Sequence, residues 1–478
     1  MRYRLSKLAS TIILSQILFG CSAMVKTPYQ APSVATPTHF AYDKNQQAQL
    51  NSETFADQWW TLFQDPQLNQ LVQQVIDRNA DLAVAGINLQ QAWLKSGLAK
   101  SQQGIRVGNA SLSTGHSFEL DGGTDKANGL SIGYPQLSYE IDLFGKLANQ
   151  TEAANWQAIA TAEDLQATGQ TLIATTANLY WQLGYLNESA ATATQSLATT
   201  EKLYQLVNTQ YKAGAVSGLE LTQAAQAVQS QKATLSQIEQ QRVQARTGLA
   251  VLLQIPVQQL DIQEPQTLPN ARLPNIAAGL PAEILARRPD LRAAESRLKA
   301  SLSSKDATKA SYYPSINLTG SLSTGVGVGG STSLSNVIKN PIATLGAGLT
   351  LPFLQYNDMK KNIKISDLDY EKAIVTYRKT LYQAFADTEN ALSARTELDT
   401  QVALQQRNVE LAEKTERLTD VRYRNGAIAL KNLLDAQTIT RNARLSLVQT
   451  KQNQYTAYVT LMQALGGSPI KQGPNPAL

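Results

Sequence analysis

In two long runs the apolar positions follow a loose helical spacing, and in four short stretches they alternate with polar ones. The helical runs, Gln136 to Ile255 and Phe353 to Ser468, contain no proline and are rich in Ala, Gln, Leu and Thr. Each has a single strong break, Tyr-Lys-Ala-Gly-Ala at 211–215 and Tyr-Arg-Asn-Gly-Ala at 423–427. A glycine after a basic turn caps a helix C-terminus, so the runs predict helical hairpins over 145–255 and 358–465. A helix from about Gly145 to Lys212 would extend roughly 100 Å at 1.5 Å per residue, and needs partners along its length. The spacing is not a strict heptad, which argues against a simple two-stranded zipper.

The alternating stretches precede the hairpins as two pairs, within 105–142 and 314–353. Ile316, Leu318 and Leu322 fall on one face and Ser315, Asn317, Thr319 and Ser321 on the other; Ala343, Leu345, Ala347, Leu349 and Leu351 form a second apolar row. Segments of about ten residues with a two-residue period are the signature of transmembrane strands. Polar, glycine-rich loops join each pair, around Asp121-Gly122-Gly123 and at 325–335, and Pro135 predicts a bulge or a strand end. Four strands cannot close a barrel, because their edges would stay unpaired in lipid. The chain must therefore oligomerise, and three copies would supply twelve strands. Further helices are predicted ahead of each strand pair, from about Asp65 to Gln103 and from about Pro281 to Ala310, the second with Pro289 near its start.

The same order occurs twice. Glu201–Ala224 aligns without a gap to Glu413–Ala436, about 212 residues on, with Tyr211/Tyr423, Gly214/Gly426, Ala215/Ala427 and Leu221/Leu433 matching. The expected organisation is a signal peptide (1–20), an extended N-terminal anchor segment (21–60), a first repeat (61–255), a linker (256–281), a second repeat (282–465) and a C-terminal tail (466–478).

The N-terminus changes the picture from soluble to anchored. Arg2, Arg4 and Lys7 precede an apolar core, Leu8 to Phe19, that is too short to span a bilayer, and Leu18-Phe19-Gly20-Cys21 fits a bacterial lipoprotein cleavage box. Cys21 would become the acylated N-terminal residue; as the single cysteine it forms no disulfide within the chain. Ser22 after it favours the outer membrane. Downstream, no apolar run is long enough for a transmembrane helix, so any membrane crossing uses strands. The net charge of +5 is dispersed among acids and glutamines, unlike the clustered basic surface of a nucleic-acid binder. His39 and His116 lack neighbours at metal-ligand spacing, and the glycine-rich 325–332 stretch lacks the lysine of a phosphate loop. No nucleophile–base set stands out. The residues describe a conduit needing no cofactor beyond its lipid, and not an enzyme.

Several motifs carry a resemblance. Trp59-Trp60, Asp65-Pro66-Gln67-Leu68-Asn69 and Asn79-Ala80-Asp81-Leu82 resemble the opening of the TolC/OprM-type outer-membrane efflux proteins. The stretches 139–146 (YEIDLFGK), 286–291 (ARRPDL), 312–316 (YYPSI) and 433–437 (LLDAQ) resemble later motifs of that family, in order across nearly the whole mature chain. The lipidated N-terminus places the resemblance in the OprM/NodT-like branch. It implies a mixed α and β membrane protein: a homotrimer with a 12-stranded β-barrel, four strands per chain, continuous with a long α-helical periplasmic tunnel. It also implies docking to a periplasmic membrane-fusion adaptor and an inner-membrane pump of RND or ABC type, which supplies the energy. The duct would export drugs or other toxic small molecules. The same duct could instead serve protein secretion or metal-ion export, and a coiled-coil periplasmic adaptor without a barrel is the remaining alternative.

On this resemblance Asp435 falls at the family's acidic constriction, where one carboxylate per subunit forms a ring that favours cations and resists tightening. Glu220 lies near the corresponding place in the first repeat and is expected to add a second ring. Lys431 replaces an apolar constriction residue and is spaced for an i,i+4 pair with Asp435. The tips, with Gly214, Ala215, Gly426 and Ala427, are the expected adaptor contacts, and their glycines are also expected to cap helices.

Overall fold

The computed structural model describes residues 25–42, 58–109, 111–117, 126–133, 136–269, 273, 287–324 and 341–467. Cys21, the expected lipid attachment site, the expected signal peptide, Pro135, both glycine-rich strand loops, most of the tail and much of the linker lie outside the described residues. Seven α-helices and six strands are described. They are α1 (Pro66–Arg78), α2 (Ala80–Ser101), β1 (Arg106–Val107), β2 (Ser111–Ser117), β3 (Lys126–Gly133), β4 (Leu137–Ile141), α3 (Lys146–Lys212) and α4 (Gly218–Leu252). The second half adds α5 (Pro289–Ala310), β5 (Ser315–Thr324), β6 (Pro341–Thr350), α6 (Tyr356–Arg424) and α7 (Leu430–Ala464). Helix, strands, long helix, shorter helix thus recur in the same order.

The chain forms two compact units, one from residues 1–34, 87–162 and 293–379, the other from 35–86, 163–292 and 380–478. The first holds the sheet. β1 with β2, and β3 with β4, are two interrupted strands, so the sheet is a four-strand antiparallel meander in which β2 pairs β3, β1 and β5 flank β4, and β6 pairs β5. Ile316 opposes Leu349, Leu318 opposes Ala347, and Leu322 opposes Ala343, which keeps the predicted apolar row in register across strands. Tyr139 joins the same face opposite Leu318, and Leu137 opposite Gly320. This face is bare: Leu345 is 91% exposed and Leu349 64%. β6 has no described neighbour but β5, and β2 none but β3, so both edges of the meander are open in the single chain.

The turn into α3 explains the 139–146 motif. Gly145 takes φ +76°, the left-handed region that glycine enters freely. Asp142 accepts the Ala148 N–H at 2.8 Å, satisfying an orphan donor of the first turn, and Lys146 pairs with Glu140 at 2.5 Å. Phe144 stacks on Tyr313 with ring centroids 4.7 Å apart.

The second unit is built around aromatic residues. Trp59 and Trp60 are buried, and Phe63 contacts Trp181, Tyr455 and Tyr458 with centroids 5.1–5.7 Å away. Asp65 caps α1 through the Gln67 and Leu68 N–H groups, and its other oxygen accepts the Tyr180 hydroxyl at 2.8 Å. The continuous helix expected from about Asp65 to Gln103 is instead two. Asn79 stops α1 in an extended conformation, and its side chain accepts the Asp81 and Leu82 N–H groups while donating to the Leu252 carbonyl. A side chain that caps one helix and ties down another favours the break over continuity. Arg288, nearly buried, binds Asp290 at 2.8 Å and Asp387 at 3.3 Å and reaches the Ala464 carbonyl at the end of α7. The 286–291 motif therefore joins the start of α5 to α6 and α7.

Candidate functional site

The hairpin tips of the second unit carry most of the residues singled out by the sequence. α3 ends at Gly214, φ +73°, where the Gly214 N–H donates to the Tyr211 carbonyl and the Ala215 N–H to the Gln210 carbonyl, both at 2.9 Å. α6 ends identically at Gly426, φ +70°, with Gly426 donating to Tyr423 and Ala427 to Arg422, again at 2.9 Å. These paired bonds form the Schellman cap, which needs a left-handed residue and is best served by glycine. Nothing lies within 4 Å of a Cβ built on either glycine, so backbone conformation, not crowding, selects it. Ala215 and Ala427 are exposed.

Behind the caps the two hairpins share one apolar cluster. Leu203 and Val207 of α3, Ala224 of α4, and Leu430 and Leu433 of α7 are buried together, with Tyr204, Val216, Leu221, Tyr423 and Leu434 packed around them. Tyr423 brings its hydroxyl to 3.5 Å from Gln210 Oε1, a polar contact from α6 to α3. Burial and the nearby Glu220 carboxylate push the Tyr423 hydroxyl above its ordinary pKa. Tyr211, at the matching position of the first hairpin, is exposed. Sequence reasoning aligned the two tyrosines but gave no sign that only one is drawn into the cluster.

Lys431 and Asp435 form the i,i+4 pair in the first turns of α7, Nζ to Oδ2 2.5 Å, with side chains 67% and 56% exposed. An exposed pair of this kind adds about 0.3–0.5 kcal/mol, so its interest lies in charge rather than stability. Glu220 is occupied differently. Its carboxylate accepts the Ser217 N–H at 2.7 Å and also meets the Ser217 hydroxyl, closing the start of α4. Those hydrogen bonds hold the Glu220 carboxyl below its ordinary value. The residue aligned with Asp435 in the first hairpin is Gln223, one turn further on than Glu220. Further along α7, Arg444 pairs with Glu413 of α6 at 2.8 Å, and burial lowers the pKa of Arg441.

Among the described residues no cluster of three or more His, Cys, Asp or Glu is placed to hold a metal, and no helix is long and apolar enough to cross a membrane. What the geometry offers is an alternating sheet with open edges and two capped helical tips fused at one cluster.

Known proteins share this arrangement. The profile described as outer membrane efflux protein matches residues 71–253 and 280–467. The pyoverdine export outer membrane protein OpmQ of Pseudomonas aeruginosa is 30% identical over 470 residues, covering 96% of each chain. The antibiotic efflux pump outer membrane protein ArpC of Pseudomonas putida is 30% identical over 484 residues, covering 97% of this chain and 96% of its own. The open-state crystal structure of the Neisseria gonorrhoeae MtrE outer membrane channel superposes with a TM-score of 0.79 at 27% identity, over 94% of this chain and 99% of that one. With four strands, two long hairpins and the family profile running through both halves, the chain belongs to the outer membrane efflux protein family, as a channel of the outer membrane.

Proposed function

We propose that three copies of this chain close their open meanders into a 12-stranded barrel, and that their paired hairpins assemble into the periplasmic tunnel of a tripartite efflux system. The observation that carries this reading is the four-strand sheet with a bare apolar face and two unpaired edges, because lipid tolerates no open edge. The lipid on Cys21 anchors the mature chain, a membrane-fusion adaptor binds the tips, and an inner-membrane pump supplies the energy. The cargo is drugs or other small toxic molecules, in keeping with the export of pyoverdine and antibiotics by the relatives.

Asp435 is the constriction residue in this reading. Because Lys431 neutralises it within the chain, the ring consists of three ion pairs rather than three bare carboxylates. Such a ring repels itself less and selects cations less strongly than an acidic ring. Glu220, spent on its own helix start, contributes a weaker second ring. Single-channel recording of the purified protein in a planar bilayer tests this. Asp435→Ala is expected to raise the closed-state conductance, and Lys431→Leu to raise cation selectivity by freeing the carboxylate. Unchanged conductance and selectivity in both variants would remove the gate assignment, and the lack of any channel from folded protein would remove the duct.

The adaptor contact is tested at Ala427, which is exposed and follows the left-handed glycine rather than occupying its place. Ala427→Trp is expected to abolish efflux-dependent resistance while heat-resistant trimers persist. Normal resistance from that variant would move the docking surface off the tips.

A further inference from the structure

Asp306 of α5 is the most deeply buried acid among the described residues, 1% exposed. Both of its oxygens are used, and both by one distant residue. The Thr27 N–H donates to Oδ2 at 2.6 Å, and the Thr27 hydroxyl donates to Oδ1 at 2.8 Å. No other described hydrogen bond or ion pair reaches this carboxylate. Thr27 lies in a segment, Val25–Val34, that has no ladder or helix of its own. The described chain begins at Val25, four residues after the cysteine expected to carry lipid.

The flanking residues fit the same seat within the sheet-bearing unit. Val25 is buried, and Lys26 pairs with Glu152 of α3 at 2.8 Å. The Tyr29 hydroxyl donates to Glu295 of α5 at 3.2 Å, and the Lys299 ammonium lies 5.0 Å from the Tyr29 ring and 4.7 Å from that of Trp156. The Lys26 pair is exposed and adds little. The Thr27 clamp is different in kind. Lifting the segment would take both charge-assisted hydrogen bonds from Asp306 and leave water to replace them, and losing Asp306 would release the segment.

We propose that residues 25–34 form a docking strap, and that Asp306 is the positioning residue fastening the membrane-anchor end of the chain to α5. The strap makes the lipid anchor and the sheet-bearing unit one mechanical body: tension on the N-terminus is delivered to α5. Lys26 and Thr27 are exposed, but the Thr27 N–H is held by Asp306, so a trypsin-like protease draws the Lys26–Thr27 bond into its extended binding cleft as the strap lifts.

Tryptic cleavage at Lys26, read by mass spectrometry as a new N-terminus at Thr27, tests this on full-length lipidated protein in membranes. When reclosing outpaces cleavage, the rate follows the open population. Asp306→Asn is expected to speed that cut by about tenfold, because the Thr27 donors lose a charged acceptor. Thr27→Val, which removes the hydroxyl alone, is expected to speed it a few-fold. The double variant should cut no faster than Asp306→Asn, since both act on one contact. Wild-type rates in both single variants, with unchanged helicity, would overturn the proposal. So would independent effects that multiply in the double variant. If Asp306→Asn fails to fold, Thr27→Val alone decides: that side chain sits on the strap, and an unaltered rate there rules out the clamp.

Discussion

The two helical hairpins leave their long helices in the same way and enter and finish their shorter helices differently. At the exits both tips use a left-handed glycine and the same pair of backbone hydrogen bonds. At re-entry the first hairpin places Ser217 and Glu220, whose carboxylate holds the Ser217 N–H, whereas the second has Ala429 with no side-chain cap. The second instead spends its charged residues, Lys431 and Asp435, on an exposed pair where the first has Leu219 and Gln223. The ends differ as well. α7 closes at Gly466, φ +79°, and α4 closes at Gln254, φ +56°, with equivalent hydrogen bonds and an aligned position. Backbone geometry is therefore held alike in the two halves wherever the chain must reverse. The side chains diverge where one tip is built for local order and the other presents charge.

The sharpest way to break this comparison is to change the residues that close α4 and α7. A Cβ on Gly466 would lie 2.8 Å from the Arg287 carbonyl carbon and 2.9 Å from the Arg288 nitrogen, backbone atoms that cannot step aside. Gly466→Ala is expected to cost about 2–4 kcal/mol, combining a left-handed alanine with an overpacked contact. The check is a lowered thermal midpoint of helicity in detergent, with Arg288 displaced from the end of α7. Gln254→Gly runs the other way: relieving a non-glycine left-handed residue is expected to gain about 0.5–1 kcal/mol. A neutral outcome at both sites would mean the two ends are not under the same backbone constraint.

Much of this architecture was legible in the sequence because it rests on local rules. The tip glycines, the hairpin limits and the strand alternation follow from residue type and period, and α3 and α6 begin and end within about two residues of where composition sets them. The break at Asn79 was hidden, since the surrounding residues favour helix and the side chain's bond to the Leu252 carbonyl spans 173 residues. Gln254 was hidden because glutamine carries no signal for a left-handed turn. The Thr27 clamp on Asp306 spans 279 residues, and nothing in either local pattern announces it. At the candidate site, the i,i+4 spacing of Lys431 and Asp435 was readable. The Tyr423 contact to Gln210 and the capture of Glu220 by its own helix start depend on how two hairpins pack, which no single stretch encodes.

The smallest effect sharpens the contrast at re-entry, and its sign follows from Glu220. Hydrogen bonds from Ser217 depress the folded-state pKa of this carboxyl below the ordinary 4.5. A depressed carboxyl stabilises the fold above its unfolded pKa, and that contribution fades as pH falls through the folded value. Acidification below the ordinary carboxylate range should therefore loosen the first tip by releasing the Ser217 N–H. At Ala429 no carboxylate occupies that place, so the same backbone position of the second tip should not respond through a cap. Hydrogen–deuterium exchange, corrected for intrinsic rates, should show protection of residues 213–222 falling with pH while Glu220→Gln removes that dependence. Because Glu220 lies at the surface of the tip and bonds only its own helix start, the change belongs to local opening of one tip and leaves the global melting temperature where it was. An acid response that survives Glu220→Gln would assign it elsewhere in the first tip and dissolve this difference between the hairpins.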